Sequence, residues 1–383
     1  MKNTAQRVAG FKDSIFGVMS KLAREHNAVN LGQGFPDFDG PEWLKKIAQM
    51  KIEQGHGQYA PFMGTPSLRQ AVSNYYKDLY QLDYNFESDI TITVGATEGL
   101  FSTITACVDP GDEVIVLEPF YDSYVASIEM AGGKAVPVTM HAPTFSVTEN
   151  ELEAAVSPRT KMIIVNNPHN PTGKVWEKTE LDMLARFAVK HDLLVISDEV
   201  YEFLLFDGAK HYPLAQFAGM KERTFTISST GKTFGLTGWK TGWVCAPPKL
   251  SHAVRLVHQY VSFSVNTPMQ EAIADGLAKL SDYIPTFQKT YCDKRDYFYE
   301  GLTKLGFEFP IPKGTYFMMV PIRNKTTKTD VEFAMELVEK RKVAVVPPSA
   351  FYLKSTEGRA YLRFCFAKKE ETLKAALQNL QGL

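Results

Sequence analysis

From about residue 90 to residue 247 the chain alternates short, almost continuously apolar runs with longer stretches whose apolar residues recur at helical spacing. The runs are DITITV, EVIVLE, KAVPV, KMIIVNN, LLVISDE, TFTISS and TGWVCAP, and intervening stretches such as LDMLARFAVKH are long enough for crossover helices. Strands that are apolar on both faces and separated by helices predict a mainly parallel seven-stranded sheet between helices, an α/β fold. Upstream, Ile15, Val18, Met19 and Leu22 recur every three or four residues and predict an amphipathic helix. A loop follows, because Asn30–Pro41 (NLGQGFPDFDGP) sets glycines and prolines among aromatics. After about residue 284 the rhythm changes: helical YCDKRDYFYEGLTKLG, strand-like TYFMMV, helical DVEFAMELVEKRK, then AVVPP and AYLRFCF. This predicts a smaller α+β domain. The expected division is an N-terminal arm with part of the small domain at 1–40, a large domain at 41–284 and the rest of the small domain at 285–383. No repeat of 20 to 50 residues is visible, which removes solenoids and arrays.

Composition narrows the function classes. The 383 residues are 44% hydrophobic and 22% charged, enough to bury a large core without disulfide or metal staples. Lys plus Arg total 42 against 43 for Asp plus Glu, a formal charge of -1, so no global field draws nucleic acid or anionic membrane. Cys107, Cys245, Cys292 and Cys365 are far apart and form no metal-binding pair, and Cys245 and Cys365 sit in apolar runs that read as core. The opening segment lacks a continuous apolar stretch and carries Asp13, and no run approaches the length of a membrane span. The expectation is a cytoplasmic protein without nucleic-acid or membrane partners.

Ligands of open parallel sheets bind at the carboxyl ends of the strands, so polar residues just after apolar runs are the candidates. Three ends stand out: Asn166–Gly173 (NNPHNPTG), Asp198–Tyr201 (DEVY) and Ser228–Lys232 (SSTGK). Asp198 follows a buried run and needs either a cationic partner or a role as the N-cap of a helix beginning EVYEF. Lys232, in a turn of Ser, Thr and Gly, and Lys240 read as solvated lysines or as amines in a pocket. A desolvated amine near other cations becomes a nucleophile for carbonyls. The GKT tripeptide is no nucleotide-binding loop, since that motif requires glycine at 226, where threonine stands. Gly95, Ala96 and Thr97 (GATEG) would open a helix and offer free N–H groups to an anion. Tyr121 reads as core or as a ring stacked on a planar ligand. Arg363, lone in YLRFCF, must face solvent or meet an anion, and its fork suits a carboxylate. His169, in PHNP, reads as a loop residue.

The segments GQGFPDF, QYAPFMGTPSLR, TVGATEG, EPFYDSY, NNPHNPTGKV, SDEVY, SSTGKTFGLTGWKTGW and YLRFCFAK, in this order, resemble the fold-type-I pyridoxal 5'-phosphate aminotransferases of class I/II. The similarity runs through nearly the whole chain, and GFPDF, HQYVSFSVNTP and RFCFAKK resemble the kynurenine/glutamine and methionine branch. This resemblance implies that Lys232 holds the cofactor covalently and moves the substrate proton, and that Asp198 pairs with the ring nitrogen. It implies that Tyr201 and Asn170 donate to the ring oxygen and that Tyr121 stacks on the ring. The phosphate falls to Ser229, Lys240 and the backbone at Ala96 and Thr97, with Tyr59 reaching across from a neighbouring subunit of a homodimer. Arg363 clamps the substrate carboxylate with Asn170 and the Gly34 backbone. An apolar side-chain pocket of Ile15, Phe16, Tyr121 and Phe263 implies methionine, aromatic amino acids, kynurenine or glutamine as donors, in a ping-pong exchange with a 2-oxo acid. The resemblance leaves two alternatives: a cysteine-conjugate β-lyase, or a non-catalytic cofactor-binding regulator.

Overall fold

A computed structural model describes residues 4–383. Its strands, in chain order, are β1 (Val29–Asn30), β2 (Ile90–Val94), β3 (Glu113–Glu118), β4 (Lys134–Thr139), β5 (Thr160–Asn166), β6 (Leu194–Asp198), β7 (Thr224–Ser229), β8 (Thr241–Cys245), β9 (Phe317–Pro321), β10 (Val343–Ala344) and β11 (Tyr361–Cys365). All seven predicted runs enter one sheet, ordered β2-β8-β7-β6-β5-β3-β4. The sheet is mainly parallel, as expected. The exception is β8, antiparallel to both β2 and β7.

Alternate residues of the central strands feed opposite cores, as the pleat requires. Ile115, Ile163 and Val195 pack with Leu181, Leu184 and Phe187 of the helix Lys178–Lys190. On the other face Val116, Ile164 and Ile196 meet Leu100 and Ile104 of the helix Gly95–Cys107, Ile128 of Asp122–Met130, and Val254 of Pro248–Val261. Both faces being covered explains why the strands read as continuous apolar runs.

The predicted N-terminal helix forms over Ile15–Glu25, with the Ser14 hydroxyl accepting the Gly17 N–H at 3.2 Å. Its inward stripe is Ile15, Met19, Leu22 and Ala23, whereas Val18 is 39% exposed. Just beyond it, β1 pairs in parallel with β10, joining the start of the chain to its last third. There β9 and β11 form an antiparallel pair. The long helix Leu280–Lys304 begins before the expected boundary at 284, which therefore falls inside a helix. Residues after Asp198 form turns rather than the alternative helix. Among the described residues no helix is long and apolar enough to cross a membrane.

Candidate active site

Because β5, β6 and β7 run in parallel and in register, their last residues, Asn166, Asp198 and Ser229, end along one edge of the sheet. Strand β8 runs the other way, so its beginning lies at that edge and brings Lys240, just before Thr241, to the same place. Beside it the helix Gly95–Cys107 starts immediately after β2. This packing depends on two glycines. Gly95 has φ +69°, and a Cβ on Gly242 would fall 2.8 Å from the Ala96 nitrogen and the Ser228 carbonyl.

These ends surround a cavity of about 270 Å³. Twelve of the fifteen residues expected at the site line it: Phe16, Gly34, Ala96, Thr97, Tyr121, Asn170, Asp198, Tyr201, Ser229, Lys232, Lys240 and Arg363. Three do not. Ile15 packs on the apolar core while its neighbour Phe16 turns to the cavity. Tyr59 is 83% exposed and Phe263 48%, and they pack edge to face with ring centroids 5.4 Å apart. Ile15 and Phe263 thus stand outside the lining of this chain's cavity, one side chain against the core and the other against Tyr59.

Lys232 sits in the single-turn helix Thr230–Thr233 that follows β7. Its Nζ donates to the Gly34 carbonyl at 3.0 Å and lies 5.7 and 5.6 Å from the ring centroids of Tyr201 and Tyr316. Burial, with Arg363 and Lys240 nearby, brings its pKa down to about 8 although Asp198 opposes the shift. Asp198 accepts the Tyr124 hydroxyl at 2.6 Å and the Val200 N–H at 3.4 Å. Burial still pushes its carboxyl up to about 6, so its hydrogen bonds do not offset the loss of water. Burial also raises Tyr121, to about 12, and raises Tyr201, with the Arg363 charge opposing the latter.

Arg363, in the middle of β11, is 1% exposed. Its guanidinium donates to Asn170 Oδ1 at 3.0 Å and to the Gly32 carbonyl at 2.8 Å, and it lies 4.1 Å from the Phe317 ring centroid and 4.9 Å from that of Phe16. Its Nε is buried without a partner. A buried cationic donor left unmade is costly and marks a place for an anion. A second group suited to an anion lines the same cavity. There the Lys240 ammonium comes within 3.2 Å of where a Cβ on Gly95 would sit, over the first turn of the helix that carries Ala96 and Thr97.

His169 is buried, bonded to Thr172, and held neutral with a pKa near 3; it stands outside the cavity lining. The sequence pattern does not single out Tyr124, Tyr316 or Phe317. Tyr124 was within reach, since it lies one helical turn after Tyr121 in EPFYDSY. Tyr316 and Phe317 belong to a strand-like run with no polar punctuation to mark them.

The chain is also similar to known proteins over nearly its whole length. The family model described as aminotransferase class I and II matches residues 26–380. The chain is 41% identical to the methionine aminotransferase of Escherichia coli K12 across 97% of its own length and 96% of the relative's. It is 37% identical to the human kynurenine–oxoglutarate transaminase 3, across 97% and 88%. The solved N-succinyldiaminopimelate aminotransferase of Mycobacterium tuberculosis superposes with a TM-score of 0.96 at 41% identity, covering 99% of each chain. The chain belongs to the class I and II aminotransferases, and its reaction is amino-group transfer from an amino acid.

Proposed function

We propose that the cavity holds pyridoxal 5'-phosphate, the cofactor of this family, and that the amino donors are amino acids with uncharged side chains: methionine, aromatic amino acids, kynurenine and glutamine. The observation that carries this reading is the set of charged side chains lining the cavity, Asp198, Lys232, Lys240 and Arg363, each suited to a different part of cofactor or substrate. The donor chemistry fits the group. Asp198, a buried carboxylate without a cation, suits a protonated ring nitrogen, and Lys240 with Ser229 and the helix start at Ala96 and Thr97 suits a phosphate. Tyr121 lies where a ring face can rest. Asn170 gives its carbonyl oxygen to Arg363, which leaves its NH2 and the Tyr201 hydroxyl to donate to the ring oxygen.

When bound, the cofactor supplies an electron sink for the pair left as the substrate Cα loses its proton. The chain does the rest. Arg363 fixes the α-carboxylate with its unpartnered Nε, and Phe16 and Phe317 keep water from its faces. Lys232, with a pKa near 8, is partly neutral at neutral pH and can take the proton from Cα and return it. With every lining cation assigned, the cavity offers no further one for a carboxylate side chain. In a ping-pong cycle the same pocket then admits the 2-oxo acid. We also propose a homodimer in which Tyr59 reaches the partner's phosphate, supported by its exposure and by its absence from the lining of this chain's cavity. We further propose that the N-terminal arm forms one small unit with the chain after about residue 284, supported by the pairing of β1 with β10.

The test is a half-reaction screen, mixing loaded protein with single amino acids and following the absorbance of the bound cofactor. Methionine, phenylalanine and glutamine should bleach it faster than aspartate; equal or faster bleaching by aspartate overturns the side-chain assignment. A second expectation concerns the carboxylate site. Arg363→Lys should raise KM for both amino acid and 2-oxo acid by ~10- to 100-fold, because an ammonium replaces a fork by a single point of contact. Unchanged KM for both substrates removes Arg363 from that role.

A further inference from the structure

We propose that Lys368 is a positioning residue for the carboxylate site: it grips one edge of the Gly32–Phe35 segment so that the other edge holds Arg363 in aim. The inference rests on the reading of Arg363 given above and adds a residue outside the cavity lining.

Four consecutive backbone carbonyls make the case, and they alternate in direction. Gly32 accepts from Arg363 at 2.8 Å, and Gly34 accepts from Lys232 at 3.0 Å and from the Tyr316 hydroxyl at 2.5 Å. Between and after them, Gln33 and Phe35 accept from the Lys368 ammonium at 3.3 and 2.7 Å. One edge of the segment therefore addresses two of the site's cations, Arg363 and Lys232, and the other is taken by a single lysine that is 3% exposed. An ammonium so far from water must keep its acceptors, and hydrogen bonds with one charged partner are about twice as strong as neutral ones. The Phe35 ring, its centroid 5.3 Å from Nζ, adds to the hold.

The segment is tied at both ends as well. Leu31 donates to the Ala344 carbonyl and accepts from the Cys365 N–H, each at 2.8 Å. Asp37 accepts from the Lys369 N–H and the Thr372 hydroxyl, both at 2.6 Å. Residues 31–37 are thus fixed to the same stretch that carries Arg363, with Lys368 as the central grip. Loss of that grip frees the Gln33 and Phe35 carbonyls to turn. The Gly32 carbonyl, which restrains one arm of the guanidinium, turns with them.

The test uses the loaded enzyme with Lys368→Met, and Asp37→Asn as a second variant that loosens one end while keeping side-chain shape. In Lys368→Met, amide hydrogen exchange across residues 31–37 should speed up about tenfold, the equivalent of one charge-assisted bond. KM for methionine and for its 2-oxo acid acceptor should rise about tenfold with kcat changed by less than about threefold. Asp37→Asn should shift exchange and KM the same way by about threefold, and it decides the matter if Lys368→Met does not fold. Unchanged exchange overturns the proposal, and so does faster exchange with unchanged KM. Failure of the Arg363 reading shows separately, as an unchanged KM in Arg363→Lys.

Discussion

Replacing Lys232 by alanine is expected to lower kcat for amino-group transfer by at least ~10,000-fold, at the upper end of what a positioned acid–base group supplies. The argument is one of placement and charge. Lys232 is an amine lining the cavity whose pKa burial has brought to about 8, so near neutrality it exists in both the form that takes a proton and the form that gives one. No other lysine in the lining can stand in, because Lys240 lies over the Gly95 turn at the anion end. The variant should still bind cofactor noncovalently, since Asp198, Tyr121 and the Lys240 cradle remain. It should also be more stable than the parent when both are free of cofactor. A lysine whose folded pKa lies below its usual 10.5 destabilises the fold fully below about pH 8, and the penalty fades as pH rises from there towards 10.5. Allowing for its partial exposure to the cavity, the gain at pH 7 should be roughly 1–2 kcal/mol and should vanish in strong base. Single-turnover kinetics and thermal melts across pH check both parts. Borohydride treatment of the loaded parent should leave a pyridoxyl tag on Lys232, and a tag on another residue ends the assignment.

Much of this arrangement is legible in the apolar rhythm of the chain, because each strand of the large sheet is buried on both faces and announces itself as a continuous run. Polar residues that break such runs mark strand ends, which is why Asp198, Ser229 and Lys232 stand out from the amino-acid pattern alone. What the rhythm cannot carry is direction. Nothing in TGWVCAP shows that β8 runs against its neighbours, and only that reversal explains why Lys240, ahead of its strand, meets Ser229, at the end of another. Solvent exposure is equally hidden: the resemblance implies a pocket role for Phe263, and in this chain its backbone turns at φ +63° with the ring against Tyr59 at the surface. Asp198 could equally have capped a helix, but its carboxylate is engaged by Tyr124, a partner 74 residues earlier. Lys368 gives no signal, because RFCFAKK shows two adjacent lysines and only packing reveals that the first is buried.

Asp198→Asn should lower kcat by ~100- to 1,000-fold, the range found when one preorganised electrostatic group is removed from a site. The substitution is nearly isosteric. Its amide oxygen can still accept the Tyr124 hydroxyl, so the loss isolates charge from shape. In the protein without cofactor the carboxylate is a liability, because burial raises its pKa from 3.8 to about 6. A carboxyl raised in the fold contributes stability that is complete below its unfolded pKa and disappears as pH climbs through the folded value. The parent should therefore lose stability between about pH 4 and 6, whereas the asparagine variant should not. At pH 7 the cofactor-free variant should be the more stable of the two, by on the order of 2 kcal/mol. Loading reverses the order. On the proposed reading a protonated ring nitrogen would give the parent's carboxylate the cation it lacks, so cofactor should raise the parent's melting temperature more than the variant's. Retention of kcat within about threefold, or equal stabilisation of both proteins by cofactor, removes Asp198 from this role. The site would then need another source of negative charge, and among the residues lining the cavity there is no other carboxylate.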